Sequence, residues 1–223
     1  MNSLFIFRGG SASGKTTLEE FLVSKGYLRY VTDTTRAPRK GEVNGVHYNF
    51  LSLKKFKKRK YANVIKITDE WLYGASEDEL WNLAKAERDS VYSVINIEPA
   101  INIKRFIQKN KIPLNVYIID FDIDQEFRVQ LMKKRGESEK DILKRLQREE
   151  GLQDYSKFNE KPDFIVQDFF SSKDKVVEFI RVKYLETLEK EMDMVIDNSF
   201  EFKSKNRPIE QVIENLEKEG LWK

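Results

Sequence analysis

The chain has 223 residues, of which 40% are hydrophobic and 12% aromatic, so it can bury one sizeable core but is short for two full domains. Its 40 lysines and arginines are nearly balanced by 37 aspartates and glutamates, and a net charge of +3 argues against a dedicated nucleic-acid-binding protein. The lack of cysteine excludes a disulfide scaffold, a thiolate zinc site and a cysteine nucleophile.

The chain begins with a strand pattern, a glycine-rich loop and a helix pattern. Residues 4–8, LFIFR, form a short apolar run that is typical of a buried parallel strand. Residues 16–26, TTLEEFLVSKG, predict a helix with an apolar face and a terminating glycine. That face is formed by Leu18, Phe21 and Leu22.

The loop between them contains the motif G-x-x-x-x-G-K-[ST], formed by Gly9, Gly14, Lys15 and Thr16. Its backbone N–H groups and the helix dipole can hold an anion, Lys15 can reach the β and γ phosphates, and the Thr16 hydroxyl can ligate Mg²⁺. The alternative is an ordinary Gly/Ser turn before a helix. The motif predicts a site for ATP with Mg²⁺, whose phosphate-binding residues are Gly9, Ser11, Ser13, Gly14, Lys15, Thr16 and Thr17.

A second candidate phosphate site follows in residues 31–56. Arg36 and Arg39 flank a proline, and an Asn-Gly turn leads into the alternating pattern of a hairpin that presents Tyr48. Arginines at a stiffened turn suit bidentate phosphate recognition, and the tyrosine hydroxyl adds a donor. Solvated surface arginines are the alternative.

Five segments together resemble the guanylate kinase family. They lie in the family's order over roughly the first 150 residues: GGSASGKTT at 9–17, TTRAPRKGEVNGVHYNFLS at 34–52, LYGAS at 72–76, SVINIE at 93–98 and KKRGESEKDILKRL at 133–146. The resemblance implies an α/β P-loop NTPase fold, with a central parallel sheet flanked by helices, an acceptor-binding subdomain and a lid. It also implies an enzyme that transfers the γ-phosphoryl group of ATP to a nucleoside monophosphate.

The resemblance also implies roles for particular side chains. The acceptor's phosphate would be held by Arg36, Arg39, Tyr48 and Tyr73. Lys15 and two lid arginines, Arg135 and Arg145, would act on the transferring phosphoryl group. Ser138 and Asp141 independently predict a helix start, and arginines on a hinged helix suit phosphoryl transfer, which depends on charge stabilisation. A solvated basic helix face is the alternative.

The predicted base pocket departs from the family, which uses a glutamate, an aspartate and a hydroxyl for guanine. Thr32 matches the hydroxyl, whereas Lys66 stands at the position we align with the glutamate, and Asn96 and Glu98 replace a pair of aspartates. Ser76 completes the expected acceptor site. Because an amide both donates and accepts, the alternative to GMP or dGMP is a pyrimidine or modified deoxynucleotide such as dUMP, dTMP or hydroxymethyl-dUMP.

The sequence predicts one domain over 1–223. Its core would comprise about 1–31, 91–132 and 192–223, the acceptor subdomain 32–90, and the lid with an insertion 133–191. Two segments are candidates for the last core strand, PDFIVQDF at 162–169 and MDMVIDNS at 192–199. We favour the second, because an amphipathic helix pattern follows it.

Other features bear on location and partners. No apolar run is long enough for a signal h-region or a membrane span, so we expect a cytoplasmic protein without a membrane partner. The basic run KKFKKRK at 54–60 is read as a solvated helix face with Phe56 inward, and a nucleic-acid partner is not expected. Asp120 is interpreted as structural, and Glu98 as the better candidate for a water-mediated Mg²⁺ contact. The sequence indicates no particular oligomeric state.

A non-catalytic, protein-binding scaffold of guanylate-kinase-like fold is the alternative from another functional class. Such modules have lost the phosphate loop, whereas the loop motif is intact in this chain. An intact loop favours an enzyme.

Overall fold

The computed structural model describes residues 2–39, 41–67, 70–86, 88–150, 158 and 160–167. All of them belong to one compact unit, Met1–Tyr184. The amphipathic helix pattern that follows 192–199 in the sequence, and a further helix that we expect around 173–191, lie outside the described residues.

The centre of the fold is a parallel five-stranded sheet with the strand order β2-β7-β1-β8-β9. The middle strand, β1, is buried on both faces, which explains why its sequence is a continuous apolar run rather than an alternating one. The strands are β1 (Asn2–Gly9), β2 (Leu28–Arg29), β7 (Ser90–Val94), β8 (Leu114–Phe121) and β9 (Phe164–Val166).

Helices cover both faces of this sheet, so the predicted α/β class is confirmed. Alternate residues of β1 enter two separate cores: Leu4 and Ile6 pack with the apolar face of α4, whereas Phe5 and Phe7 pack with Leu18 of α1. The helices are α1 (Lys15–Ser24), α2 (Leu53–Phe56), α3 (Glu77–Lys85), α4 (Ile97–Lys109), α5 (Gln125–Lys134) and α6 (Glu139–Glu149).

A second, smaller sheet has the strand order β4-β3-β6-β5. Its strands are β3 (Asp33–Thr34), β4 (Asn49–Phe50), β5 (Tyr61–Lys66) and β6 (Leu72–Ser76). Phe56 of the basic run is buried as predicted and stacks on Tyr61 at a centroid distance of 4.4 Å. The predicted helix covers only the start of the run, since α2 ends at Phe56, and Arg59 forms an ion pair with the buried Asp33 at 2.8 Å.

The prediction of a hairpin around the Asn-Gly turn is wrong in one respect. The turn closes tightly, since the Gly45 N–H donates to the Tyr48 carbonyl at 2.9 Å. The chain then runs alongside β3 in parallel instead of pairing back antiparallel to the segment before the turn. A local turn signal fixes the reversal, but hydrogen bonds to a distant strand decide the pairing partner.

One of the two candidate late strands, the segment at 162–169, belongs to the central sheet and not to the expected insertion over 151–191. Its strand β9 pairs in parallel with β8 and extends the sheet. Our preference for residues 192–199 as the last core strand stays a prediction. Asp163 fixes this pairing: its N–H donates to the Ile118 carbonyl at 2.8 Å, and its carboxylate accepts from the Ile118 N–H at 2.7 Å. Residues 192–199 lie outside the described part of the chain.

Candidate active site

The phosphate loop joins the carboxyl end of β1 to α1. Gly14 is the N-cap of α1 with φ 96°, a left-handed conformation that favours glycine, and the helix begins at once with Lys15. No side chain caps this helix, so the N–H groups of its first turn are available to an anion. Sequence and structure therefore agree on an anion-binding helix start.

Lys15 folds back over the loop that precedes it. Its Nζ donates to the Gly10 carbonyl at 2.7 Å and to Ser13 Oγ at 3.1 Å. Burial lowers the pKa of Lys15 to about 8, with Glu149 acting to raise it and Arg128 to lower it further. The loop therefore holds a desolvated ammonium group where a phosphate would supply the missing counter-charge.

The other predicted phosphate-binding residues of the loop differ in their exposure to solvent. Ser13 is buried, whereas Thr16 and Thr17 are exposed at the start of α1. A hydroxyl open to solvent beside Lys15 fits a metal carried in on a nucleotide. Among the described residues no three acidic or histidine side chains cluster, so other Mg²⁺ ligands at this loop would be phosphate oxygens and water.

The predicted acceptor-phosphate residues are brought together on the small sheet. Arg36 is only 4% exposed, and its Nε donates to the Tyr73 hydroxyl at 2.8 Å. The Arg36 guanidinium lies 5.6 Å from the centroid of the Tyr48 ring, and the Tyr48 and Tyr73 rings contact each other edge to face. Residues from three separate segments thus surround one guanidinium group.

Glu42, which the sequence reasoning did not select, pairs with this group. Its carboxylate accepts from Arg36 Nη2 at 2.9 Å and from the Arg39 backbone N–H at 2.6 Å. Partial burial works against ionisation, but these hydrogen bonds hold the pKa of Glu42 below its usual value. The Arg39 side chain is exposed. In the sequence, Glu42 could have been found from its position, which is after the two arginines and before the Asn-Gly turn.

The register of β5 and β6 decides which side chains share a face with Tyr73. Ile65 lies opposite Tyr73 and Asn63 opposite Ala75, so these four side chains point the same way. Lys66 lies opposite Leu72 on the other face and is exposed. The alignment of Lys66 with the base pocket is therefore wrong, because a shift of one residue along a strand moves a side chain to the opposite face.

Asn63, and not Lys66, lies on the face of the small sheet that carries Tyr73, and its side chain pairs with a second amide. Asn102 Nδ2 of α4 donates to Asn63 Oδ1 at 2.8 Å, and both side chains are half-buried. The pair leaves Asn63 Nδ2 as a donor and Asn102 Oδ1 as an acceptor. Neither amide was selected from the sequence, because 39 residues separate them along the chain.

Four further residues were predicted for the acceptor site: Thr32, Ser76, Asn96 and Glu98. Thr32 and Ser76 are buried, and the Thr32 hydroxyl lies beside the phenol of Tyr92. Asn96 is the N-cap of α4, where its Oδ1 accepts from the Glu98 N–H at 3.1 Å, and the Glu98 side chain is exposed. These last two residues follow β7, so they lie at the same edge of the central sheet as the phosphate loop.

The two predicted lid arginines lie on α5 and α6. Arg135 is the C-cap of α5 and is exposed, and Arg145 Nε pairs with Glu137 at 2.9 Å. The structure gives neither a hydrogen bond to the phosphate loop. Asp120, interpreted as structural, forms a buried ion pair with Arg8 beneath the loop.

A parallel sheet with a G-x-x-x-x-G-K-T loop after its middle strand defines a P-loop nucleotide-binding protein of α/β architecture. The family model described as guanylate kinase matches residues 1–181. The chain belongs to the guanylate kinase family and is an ATP-dependent nucleoside monophosphate kinase.

Individual relatives agree with this family. The guanylate kinase of Bartonella henselae is 34% identical over 98 residues, covering 41% of this chain and 43% of that protein. The guanylate kinase of Caldanaerobacter subterraneus subsp. tengcongensis is 33% identical over 164 residues, covering 70% and 76%. The crystal structure of guanylate kinase from Anaplasma phagocytophilum shares the fold, with a TM-score of 0.54 and 17% identity over 82% of this chain and 85% of that chain.

Within the described residues, no helix combines the length and apolar character needed to cross a membrane.

Proposed function

We propose that this kinase transfers the γ-phosphoryl group of MgATP to GMP or dGMP. The observation that carries the proposal is the cluster around Arg36, in which a nearly buried guanidinium group meets the Tyr73 hydroxyl and the Tyr48 ring on the small sheet. A second phosphate site of this kind, in a chain that also carries an intact phosphate loop, fits an acceptor with a phosphate of its own.

The proposed roles follow from the chemistry of the side chains. The loop N–H groups and Lys15 bind the donor's phosphates, while Arg36, Arg39, Tyr48 and Tyr73 orient the acceptor's phosphate. Bound Mg²⁺, ligated by Thr16, would supply positive charge at the β and γ phosphates. Arg135 and Arg145 would move toward the transferring group and stabilise its charge. A cytoplasmic location stays a prediction from the sequence.

The acceptor phosphate has to displace or join Glu42 at the Arg36 guanidinium. The Glu42 carboxylate satisfies Arg36 in the structure, so the guanidinium is held in one orientation before the acceptor arrives. Such pre-organisation reduces the side-chain ordering that binding would otherwise require. Glu42 is therefore proposed as a positioning residue for the acceptor site.

The base identity has a second candidate, because the face that carries Tyr73 also carries the Asn63–Asn102 pair. Guanine presents two donors on its Watson–Crick edge and needs two acceptors, whereas this pair offers one donor and one acceptor. A uracil or thymine edge, with O4 and N3–H, matches that pattern. The alternative is therefore a pyrimidine or modified deoxynucleoside monophosphate.

The experiment that tests the function is coupled ADP release with MgATP and a panel of ribo- and deoxynucleoside monophosphates that includes GMP, dGMP, dUMP, dTMP and hydroxymethyl-dUMP. Highest kcat/KM on GMP or dGMP supports the principal proposal, and a pyrimidine preference supports the alternative. No turnover on any nucleotide would overturn both.

A pair of variants tests whether the base reaches the amide pair. Asn63→Glu should raise kcat/KM for GMP relative to dUMP, because a carboxylate at this position accepts from both guanine donors. Val64→Glu places the same charge on the opposite, exposed face and should leave the ratio unchanged. An equal change in both variants would contradict a base contact at Asn63.

A further inference from the structure

A carboxylate from α6 already occupies the phosphate loop. Glu149, the last residue of α6, is only 6% exposed, and its Oε1 accepts from the Ser11 backbone N–H at 2.7 Å. Its other oxygen, Oε2, accepts from Arg128 Nη1 at 2.8 Å. Within the loop, the carboxylate oxygen thus takes a backbone donor of the kind that phosphate oxygens use.

Arg128 of α5 holds this carboxylate against the loop. Its Nη1 also donates to the Ser11 carbonyl at 3.1 Å, and its Nε donates to the Ile123 carbonyl at 3.2 Å. Gly10 makes the approach possible, since a Cβ there would lie 2.2 Å from Arg128 Nη1 and 2.6 Å from Glu149 Oε2. The lack of a side chain at Gly10 therefore leaves room for the Arg128–Glu149 ion pair to pack against the phosphate loop.

The pair is close enough to Lys15 to act on it electrostatically. After burial, the largest influences on the pKa of Lys15 are Glu149, which raises it, and Arg128, which lowers it. Glu149 thus supplies the ammonium group with part of the negative charge that the phosphates of a nucleotide would bring. A triphosphate entering the loop would meet this carboxylate as a like charge.

We propose that Arg128 and Glu149 form a latch on the phosphate loop, which we call the loop latch, and that triphosphate binding opens it. Glu149 leaves the Ser11 N–H when the phosphates arrive, and Arg128 turns its positive charge toward them as a further phosphate ligand. Because Arg145 lies one turn before Glu149 on α6, release of the latch frees the helix that carries a predicted lid arginine. The inference rests on the proposed binding of ATP at this loop.

The test measures the Kd of MgATP and of inorganic tripolyphosphate by titration calorimetry, with the full chain. Glu149→Gln keeps the size and one acceptor oxygen but removes the charge, and it should bind both ligands roughly ten-fold more tightly than the unaltered protein. Glu150→Gln, the exposed neighbouring carboxylate, is the matched control and should change neither Kd by more than about two-fold.

Arg128→Gln provides an independent arm. It removes the second half of the loop latch together with the proposed phosphate ligand, and it should weaken tripolyphosphate binding even when combined with Glu149→Gln. In the double variant the buried carboxylate is not left without its partner, so folding is retained.

The outcomes separate the inference from the proposed function. Binding of MgATP by the unaltered protein with an unchanged or weaker affinity in Glu149→Gln would overturn the loop latch and leave the kinase proposal standing. Absence of MgATP binding in every variant would overturn the proposed function, and the loop latch with it. Tighter binding of both ligands by the Glu149→Gln variant, without such a change in the Glu150→Gln control, supports the loop latch.

Discussion

At the scale of single residues, Lys15 is held in its binding position at a cost to stability. Burial lowers its pKa from 10.5 to about 8, which corresponds to roughly 3 kcal/mol. Below pH 8 the folded protein keeps Lys15 charged, so the free energy of unfolding is lowered by this full amount. The cost falls between pH 8 and pH 10.5, where the folded protein has released a proton that the unfolded chain still binds.

Lys15→Met should therefore raise the free energy of unfolding at pH 7 while it abolishes ATP binding. The gain is about 1 kcal/mol, because two hydrogen bonds worth roughly 1 kcal/mol each are lost with the ammonium group. Urea denaturation at pH 7 and pH 10 checks this, and the gain should disappear at the higher pH. Lys54→Met, at an exposed position, is the control; a Lys15→Met protein less stable than the unaltered one at pH 7 would refute the argument.

The buried ion pair of Arg8 and Asp120 leads to a second prediction at this scale. Asp120→Ala should lower the free energy of unfolding by about 3 kcal/mol, because it leaves the Arg8 guanidinium charged in the core. Glu139→Ala, which breaks the exposed pair with Lys133, should cost less than about 0.5 kcal/mol. Chemical denaturation measures both changes in the free energy of unfolding. Equal losses would contradict the argument that burial makes the Arg8–Asp120 pair matter more for stability than an exposed pair.

At the scale of elements, β6 depends on a residue without a side chain. A Cβ at Gly74 would lie 2.5 Å from the Tyr61 ring and 2.9 Å from the Phe56 ring, which stack on each other. Gly74→Ala should therefore cost about 1 to 3 kcal/mol of stability. It should also raise KM for the acceptor, since β6 carries Tyr73. A smaller cost in a Tyr61→Ala background, measured by a double-mutant cycle, would identify the ring as the cause.

Helix α6 carries the prediction for catalysis. The Arg145 side chain is exposed and pairs with the half-buried Glu137, so it contributes little to packing. Arg145→Gln should lower kcat by about 100-fold or more and change the free energy of unfolding by less than about 0.5 kcal/mol. Lys144→Gln is the exposed neighbour for comparison in steady-state assays. An unchanged kcat in Arg145→Gln would exclude this arginine from the transfer step.

At the scale of the whole molecule, nucleotide binding is linked to stability. MgATP at about 100 times its Kd should add roughly 2.7 kcal/mol to the free energy of unfolding, and raise Tm by about 5 to 10 °C for a chain of this size. The same MgATP concentration should leave the Tm of Lys15→Met nearly unchanged. A thermal scan of both proteins checks this, and a comparable rise in the two would place ATP somewhere other than the phosphate loop.

Much of the fold and part of the site could be predicted from the sequence because their signals are local. The strand, the loop and α1 lie within about twenty consecutive residues, and the apolar run of β1 already indicates a strand buried on both faces. The cap of α6 is equally local, since Ser138 Oγ accepts from the Asp141 N–H at 3.2 Å. Arg36 and Tyr48 were candidates from the local pattern and Tyr73 from the family resemblance, and their convergence is visible only in the structure.

The sequence by itself determined the phosphate loop, the α/β class and the family, because short-range spacing and the period of apolar residues encode them. Tertiary structure alone decided which side chains meet across long separations. Ser11 and Glu149 are 138 positions apart, and the register of β5 against β6 placed Asn63, not Lys66, beside the acceptor site. Contacts of this kind depend on strand register and on the packing of α5 and α6, which no local pattern specifies.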